Sequence, residues 1–128
     1  LPKSLIQAID NLSAKNPAEP KLNLYLALNY GGRAELADAM TKILASAPDD
    51  GVVTESIIQE NLYAPDMPAI DMLVRTSGER RISNFLLWHA AYAELFFVNT
   101  LWPDYTMEEF ATLLQEYATR KRRFGRRV

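Results

Sequence analysis

Cysteine is absent from the 128 residues, so neither a disulfide nor a thiolate metal site is available. The absence is compatible with a reducing compartment. Histidine occurs once, at His89, so a His-Glu-x-x-His metal helix and a Cys–His nucleophile pair are both excluded. Neither a Gly-x-x-x-x-Gly-Lys phosphate loop nor a Gly-x-Gly-x-x-Gly turn is present. No apolar run approaches the ~20 residues needed to cross a bilayer, and the opening residues do not read as a signal peptide. What remains open is anion binding and metal-assisted chemistry.

The composition is 48% hydrophobic and 23% charged, which suits a chain with a buried core rather than a disordered one. The net charge of −2 is unevenly spread. Six of the 14 basic residues (Arg120, Lys121, Arg122, Arg123, Arg126 and Arg127) crowd the terminus, leaving eight basic against 16 acidic residues elsewhere. A basic tail on an acidic body points to an anionic partner for the tail, or to a solvated helix end whose cations complement the helix dipole.

Leu1, Leu5, Ile6, Ile9 and Leu12 recur at helical spacing and predict an opening amphipathic helix, broken from Asn16-Pro17 onward. Residues 22–29 read as a short strand covered on both faces, as in a parallel sheet, with Gly31-Gly32 forming the turn after it. Leu36, Met40, Ile43 and Leu44 mark a second helix, and Thr54 is placed to cap a short one bearing Ile57, Ile58 and Leu62. Residues 70–76 read as a second strand and 95–98 as a third, with a helix expected between them, capped by Ser83 and running to about Ala91. Thr106 and Glu109 have the spacing of a capping box ahead of a helix with Phe110, Leu113, Leu114 and Tyr117 on its buried stripe.

Strands alternating with helices predict an α/β fold, a parallel sheet flanked by helices with about three strands. Three strands leave two edges and little core, so more strands upstream are expected to complete the sheet.

In open parallel sheets ligands bind beyond the carboxyl ends of the strands, and two polar clusters lie there. Asn29-Tyr30-Gly31-Gly32-Arg33 allows close backbone approach and puts an arginine at a helix start, where it could meet an anion or simply pair with Glu35. The second cluster, from Arg75 to Asn84, packs three arginines, three hydroxyls and an expected helix N-terminus into ten residues. Guanidinium forks and oriented amides suit a diphosphate; the alternative is a surface loop whose arginines pair with acidic neighbours. Glu94 interrupts an apolar stretch and so calls for a partner, either magnesium or a salt bridge. His89, Trp88 and Trp102 read as packing residues.

Asp71-Met72-Leu73-Val74-Arg75-Thr76-Ser77-Gly78-Glu79, followed by Arg81-Ile82-Ser83-Asn84-Phe85-Leu86-Leu87-Trp88, resembles the signature of the cis-prenyltransferases of the undecaprenyl diphosphate synthase kind. Ala91-Tyr92-Ala93-Glu94-Leu95, Leu101-Trp102-Pro103-Asp104, Asn29-Tyr30-Gly31-Gly32-Arg33 and the terminal Arg123-Phe124-Gly125 follow the same pattern in order. The resemblance implies a dimeric, cytoplasmic enzyme, membrane-associated through its lipid product, that adds isopentenyl diphosphate in cis to an allylic diphosphate such as farnesyl diphosphate. That product is a precursor of the carrier lipid for cell-wall synthesis. It implies that Arg75, Arg81, Ser83 and the backbone of Ile82 bind isopentenyl diphosphate. Arg123 and Gly125 would lie in a tail that closes over the site. Glu94 would reach magnesium, across the dimer or alongside the diphosphate, and residues 85–97 would form the dimer contact.

The family's Asp-Gly-Asn-Gly-Arg stretch, its proton-removing asparagine and most of its product tunnel belong to an N-terminal half that has no counterpart here. Residues 1–128 are therefore expected to be the C-terminal portion of a single domain, without catalytic residues of its own and inactive alone. Two rivals are a non-catalytic subunit of a two-component prenyltransferase, against which the retained Arg75, Arg81, Ser83 and Glu94 argue, and a nucleic-acid-binding module using the basic tail. An acidic body without a wide basic face argues against nucleic acid.

Overall fold

The computed structural model describes residues 1–46 and 51–121. Arg123 and Gly125 lie outside the described residues. Among the described residues there are four helices, α1 (Lys3–Ser13), α2 (Gly32–Ser46), α3 (Glu55–Asn61) and α4 (Met107–Thr119), with two strands, β1 (Met72–Arg75) and β2 (Glu94–Phe97), and a 3-10 turn at Trp102–Asp104.

Helix starts follow local chemistry. Thr106 accepts from the Glu109 N–H at 3.2 Å while the Glu109 carboxylate accepts from the Thr106 N–H at 3.2 Å, a reciprocal cap for α4. Thr54 caps α3 by accepting from the Ile57 N–H at 3.3 Å. Glu109 also accepts from the Thr100 hydroxyl at 2.5 Å, which ties the start of α4 to the segment following β2.

β1 and β2 pair in parallel, Met72 opposite Glu94 and Arg75 opposite Phe97, as the expected α/β class requires. Leu73 and Phe96 are buried, and the Arg120 guanidinium lies 3.9 Å from the Phe96 ring centroid. On α2 the buried stripe is Gly32, Glu35, Ala39 and Ile43. Of the four apolar positions expected to mark its core face, only Ile43 is buried; Met40 and Leu44 are exposed.

Two expected elements are absent. Residues 22–29 form no paired strand, and the described residues contain two strands rather than three. A strand needs a neighbour for its backbone groups and a cover for each face. Here Leu22 and Leu24 are 84% and 78% exposed. The helix expected over residues 83–91 is replaced by consecutive turns. Ser83, Asn84 and Leu86 take φ of 45°, 66° and 48°, a left-handed conformation incompatible with a continuing right-handed helix. Tertiary bonds hold the turns instead: the His89 carbonyl accepts from the Ile70 N–H at 3.0 Å, and the Trp88 indole N–H donates to Gln59 Oε1 at 2.9 Å.

Candidate functional site

The site grows from the carboxyl end of β1. The Arg75 carbonyl accepts from the Val98 N–H at 2.9 Å. Beyond it, the Ser77 and Gly78 N–H groups donate to the Thr100 and Val98 carbonyls at 2.9 and 2.8 Å. These bonds carry the β1–β2 ladder into the loop and fix its outer side. Gly78 has φ of 72°, and a Cβ there would stand 3.3 Å from Asn99 Oδ1, so the turn calls for glycine. Across the loop, Arg75 Nη1–H donates to the Arg81 carbonyl at 2.7 Å. Arg75 thus braces the backbone that presents Arg81, Ile82 and Ser83, and all four residues gather in one loop. Arg75 is half-buried, whereas Arg81 and Ser83 face solvent.

The alternative reading of the arginines is partly realised. Arg81 is ion-paired with Glu79 at the surface, a contact of little stability worth that a better anion can displace.

The two polar clusters, separate in sequence, meet through Asn84. Its carbonyl accepts from the Gly32 N–H at 2.7 Å, and its Oδ1 accepts from the Arg33 N–H at 2.8 Å. Asn84 therefore occupies two of the amides at the start of α2, those of Gly32 and Arg33. The loop at residues 83–91 has no helix N-terminus to offer. The Arg75–Asn84 loop carries the Arg75 and Arg81 guanidinium groups and the Ser83 hydroxyl as candidate anion ligands.

Behind the turn lies a buried polar cluster that the sequence reading did not resolve. Glu35, 2% exposed, accepts from the Tyr30 hydroxyl at 2.5 Å and from the Tyr63 N–H at 3.1 Å, rather than pairing with Arg33. Burial and the Glu35 carboxylate push the Tyr30 hydroxyl well above the ordinary tyrosine range, so it stays a donor. Tyr30 packs edge-on against Tyr63 and Phe85, joining the turn to α3 and to the site loop. Nearby His89 is 3% exposed with Nε2 unpartnered. Burial lowers its pKa, the Glu35 charge opposing the shift, which favours the neutral packing residue expected.

Glu94 stands opposite Met72, at the far end of the strand pair from Arg75. Three residues of strand separate it from the level of Arg75, about 10 Å. Its Oε2 accepts from Arg120 Nη1–H at 2.8 Å, and Arg120 also pairs with Glu116 at 2.5 Å. Among the described residues no three His, Asp or Glu side chains converge as a metal site. Magnesium usually takes one or two carboxylates with substrate phosphate oxygens, and the Glu94 carboxylate that would supply one is held here by Arg120. The Glu116–Arg120 pair was legible as an i,i+4 spacing; the reach of Arg120 back to β2 was not.

The geometry agrees with the comparisons. A family model described as putative undecaprenyl diphosphate synthase matches residues 1–125. An isoprenyl transferase of Rickettsia bellii is 46% identical over 127 residues, covering 99% of this chain and 55% of that protein. A Sulfurisphaera tokodaii protein named tritrans,polycis-undecaprenyl-diphosphate synthase (geranylgeranyl-diphosphate specific) is 43% identical over 129 residues, covering 98% and 49%. The crystal structure of lavandulyl diphosphate synthase from Lavandula x intermedia, in complex with dimethylallyl diphosphate, superposes with a TM-score of 0.90 at 30% identity, covering 98% of this chain and 56% of that one. A probable undecaprenyl diphosphate synthase from Campylobacter jejuni gives a TM-score of 0.84 at 31% identity, covering 98% and 58%. The chain spans about half the length of the curated relatives it matches.

Proposed function

Since the chain belongs to the undecaprenyl diphosphate synthase family of prenyltransferases, we propose that residues 75–84 hold the diphosphate of isopentenyl diphosphate for condensation with an allylic diphosphate. The observation that carries this reading is the brace from Arg75 to the Arg81 carbonyl at the carboxyl end of β1. It presents two guanidinium groups and the Ser83 hydroxyl from one fixed loop, where a parallel sheet holds its ligands.

The chemistry assigned to the loop is orientation. In the proposed condensation the double bond of isopentenyl diphosphate attacks the allylic carbon as the allylic diphosphate departs, and a proton is then lost. The diphosphate on the nucleophile stays attached throughout, so Arg75, Arg81 and Ser83 grip a group that does not leave. Fixing it aims the double bond, and positioning of this kind removes much of the entropic barrier. Arg81 changes partner on binding, from Glu79 to phosphate oxygen, a bidentate match that the carboxylate pair holds in reserve.

Magnesium, when bound, would neutralise phosphate charge in such a reaction. The role proposed for Glu94 is that of a ligand contributed across a homodimer, with the Arg120 pair holding its carboxylate until then. The proposed setting is the cytoplasm, at the membrane surface where a polyprenyl product partitions.

Calorimetric titration with isopentenyl diphosphate tests the reading. Arg81→Ala is expected to weaken binding at least ~10-fold, the worth of one charge-assisted contact, whereas Glu79→Gln, which frees Arg81, strengthens it. Equal affinity in the parent and Arg81→Ala would overturn the assignment.

A further inference from the structure

Asn84 alone accepts from two consecutive amides of the Asn29–Arg33 turn, those of Gly32 and Arg33, the latter 51 positions away in sequence. The approach is close enough to dictate composition on the other side. A Cβ on Gly31 would stand 2.9 Å from Asn84 Nδ2, and one on Gly32 would stand 2.8 Å from Leu87 Cγ and 3.1 Å from the Asn84 carbonyl oxygen. Both glycines are needed for contact, not for their own backbone angles, since neither has positive φ. Asn84 itself sits at φ 66°, a left-handed conformation asparagine tolerates better than most residues. It is three residues from Arg81 and adjacent to Ser83, so any rotation of Asn84 moves the groups assigned to the diphosphate.

We propose that Asn84 is a positioning residue that clasps the Asn29–Arg33 turn to the Arg75–Asn84 loop, so that the diphosphate-gripping loop is held in its binding shape by the start of α2. This deepens the reading above and rests on it. Without the clasp, Arg75 would brace only one side of the loop, and the segment carrying Ser83 would lose its anchor to the helix. Two of the amides at the start of α2, an anion site in many α/β proteins, are here spent on shaping a neighbouring anion site.

Three variants of the 128-residue chain test the clasp. Asn84→Gly keeps the left-handed backbone and the carbonyl that accepts from Gly32 but deletes Oδ1. Arg33 amide hydrogen exchange is expected to accelerate about 10-fold, the scale of a lost helix cap, with Gly32 still protected and affinity for isopentenyl diphosphate falling several-fold. Asn84→Asp, which retains an acceptor oxygen, restores Arg33 protection. Gly31→Ala lowers the melting temperature in the parent chain but much less in the Asn84→Gly background, because its new methyl group no longer meets Nδ2. Thr106→Ala removes a remote cap of similar worth and leaves diphosphate affinity unchanged, separating positioning from general stability.

Unchanged Arg33 exchange in Asn84→Gly, or strict additivity with Gly31→Ala, overturns the clasp. Accelerated exchange with affinity within twofold of the parent overturns its positioning role. No binding by the parent chain, with the exchange and additivity results as expected, overturns the diphosphate reading and the positioning role with it, while the clasp itself stands.

Discussion

The first 29 residues and the stretch from Gly32 to Phe96 are built to different standards. Every buried residue described lies in the second region, where Glu35, Ala39, Ile43, Leu62, Leu73, His89 and Phe96 pack beneath the polar loops. The first region has a helix and an apolar segment but no buried residue; Ile9, Leu12, Leu22, Leu24, Leu26 and Leu28 line an open groove of about 550 Å³. Apolar area at that density, facing water, stabilises only when covered. The Arg75–Asn84 loop therefore sits on the buried core and is bonded through Asn84 to α2, whereas the leucine-rich segment buries nothing.

Truncation on either side of that divide gives the largest contrast. Ile43→Ala, in the buried stripe of α2, is expected to cost about 3 kcal/mol in denaturant unfolding through lost transfer energy and a residual cavity. Leu24→Ala, on the exposed segment, is expected to change stability by less than ~0.5 kcal/mol. Comparable losses would mean that the leucine segment is covered in solution and would dissolve the contrast.

A smaller effect comes from pH. His89 has a lowered pKa when folded, so below the ordinary histidine range, about 6.5, the unfolded chain takes up the proton more readily than the folded one. Stability is therefore fully present above that pH and declines as pH falls through it. The His89→Phe variant should lose this part of the slope in melting curves recorded between pH 8 and 5. A slope unchanged in the variant would assign it to other groups.

What the sequence made legible was local. The Thr106–Glu109 box and the Thr54 cap are written in side chains within one helical turn, and both form as expected. The Arg75-to-Ser83 cluster was legible as a group because one loop carries it. Tertiary choices were hidden. Nothing near Ser83 announces that Asn84 will bond across 51 residues to α2 and forgo a helix of its own; the paired glycines were the one available hint of close approach. Glu35 looked like a surface partner for Arg33, yet sits buried against Tyr30 and the Tyr63 amide. The alternating leucines of residues 22–29 read as a strand covered on both faces, but no strand forms there, because pattern cannot supply the neighbours that make one.

Whether one loop pair in the packed region forms the proposed diphosphate site can be read from amide chemical shifts of the isotope-labelled chain during titration with isopentenyl diphosphate. Perturbations are expected to concentrate at residues 75–84 and, through Asn84, at residues 29–33, with α1 and residues 22–28 silent. Perturbations centred on the leucine-lined groove, with the Arg75–Asn84 loop unmoved, would contradict the proposed site.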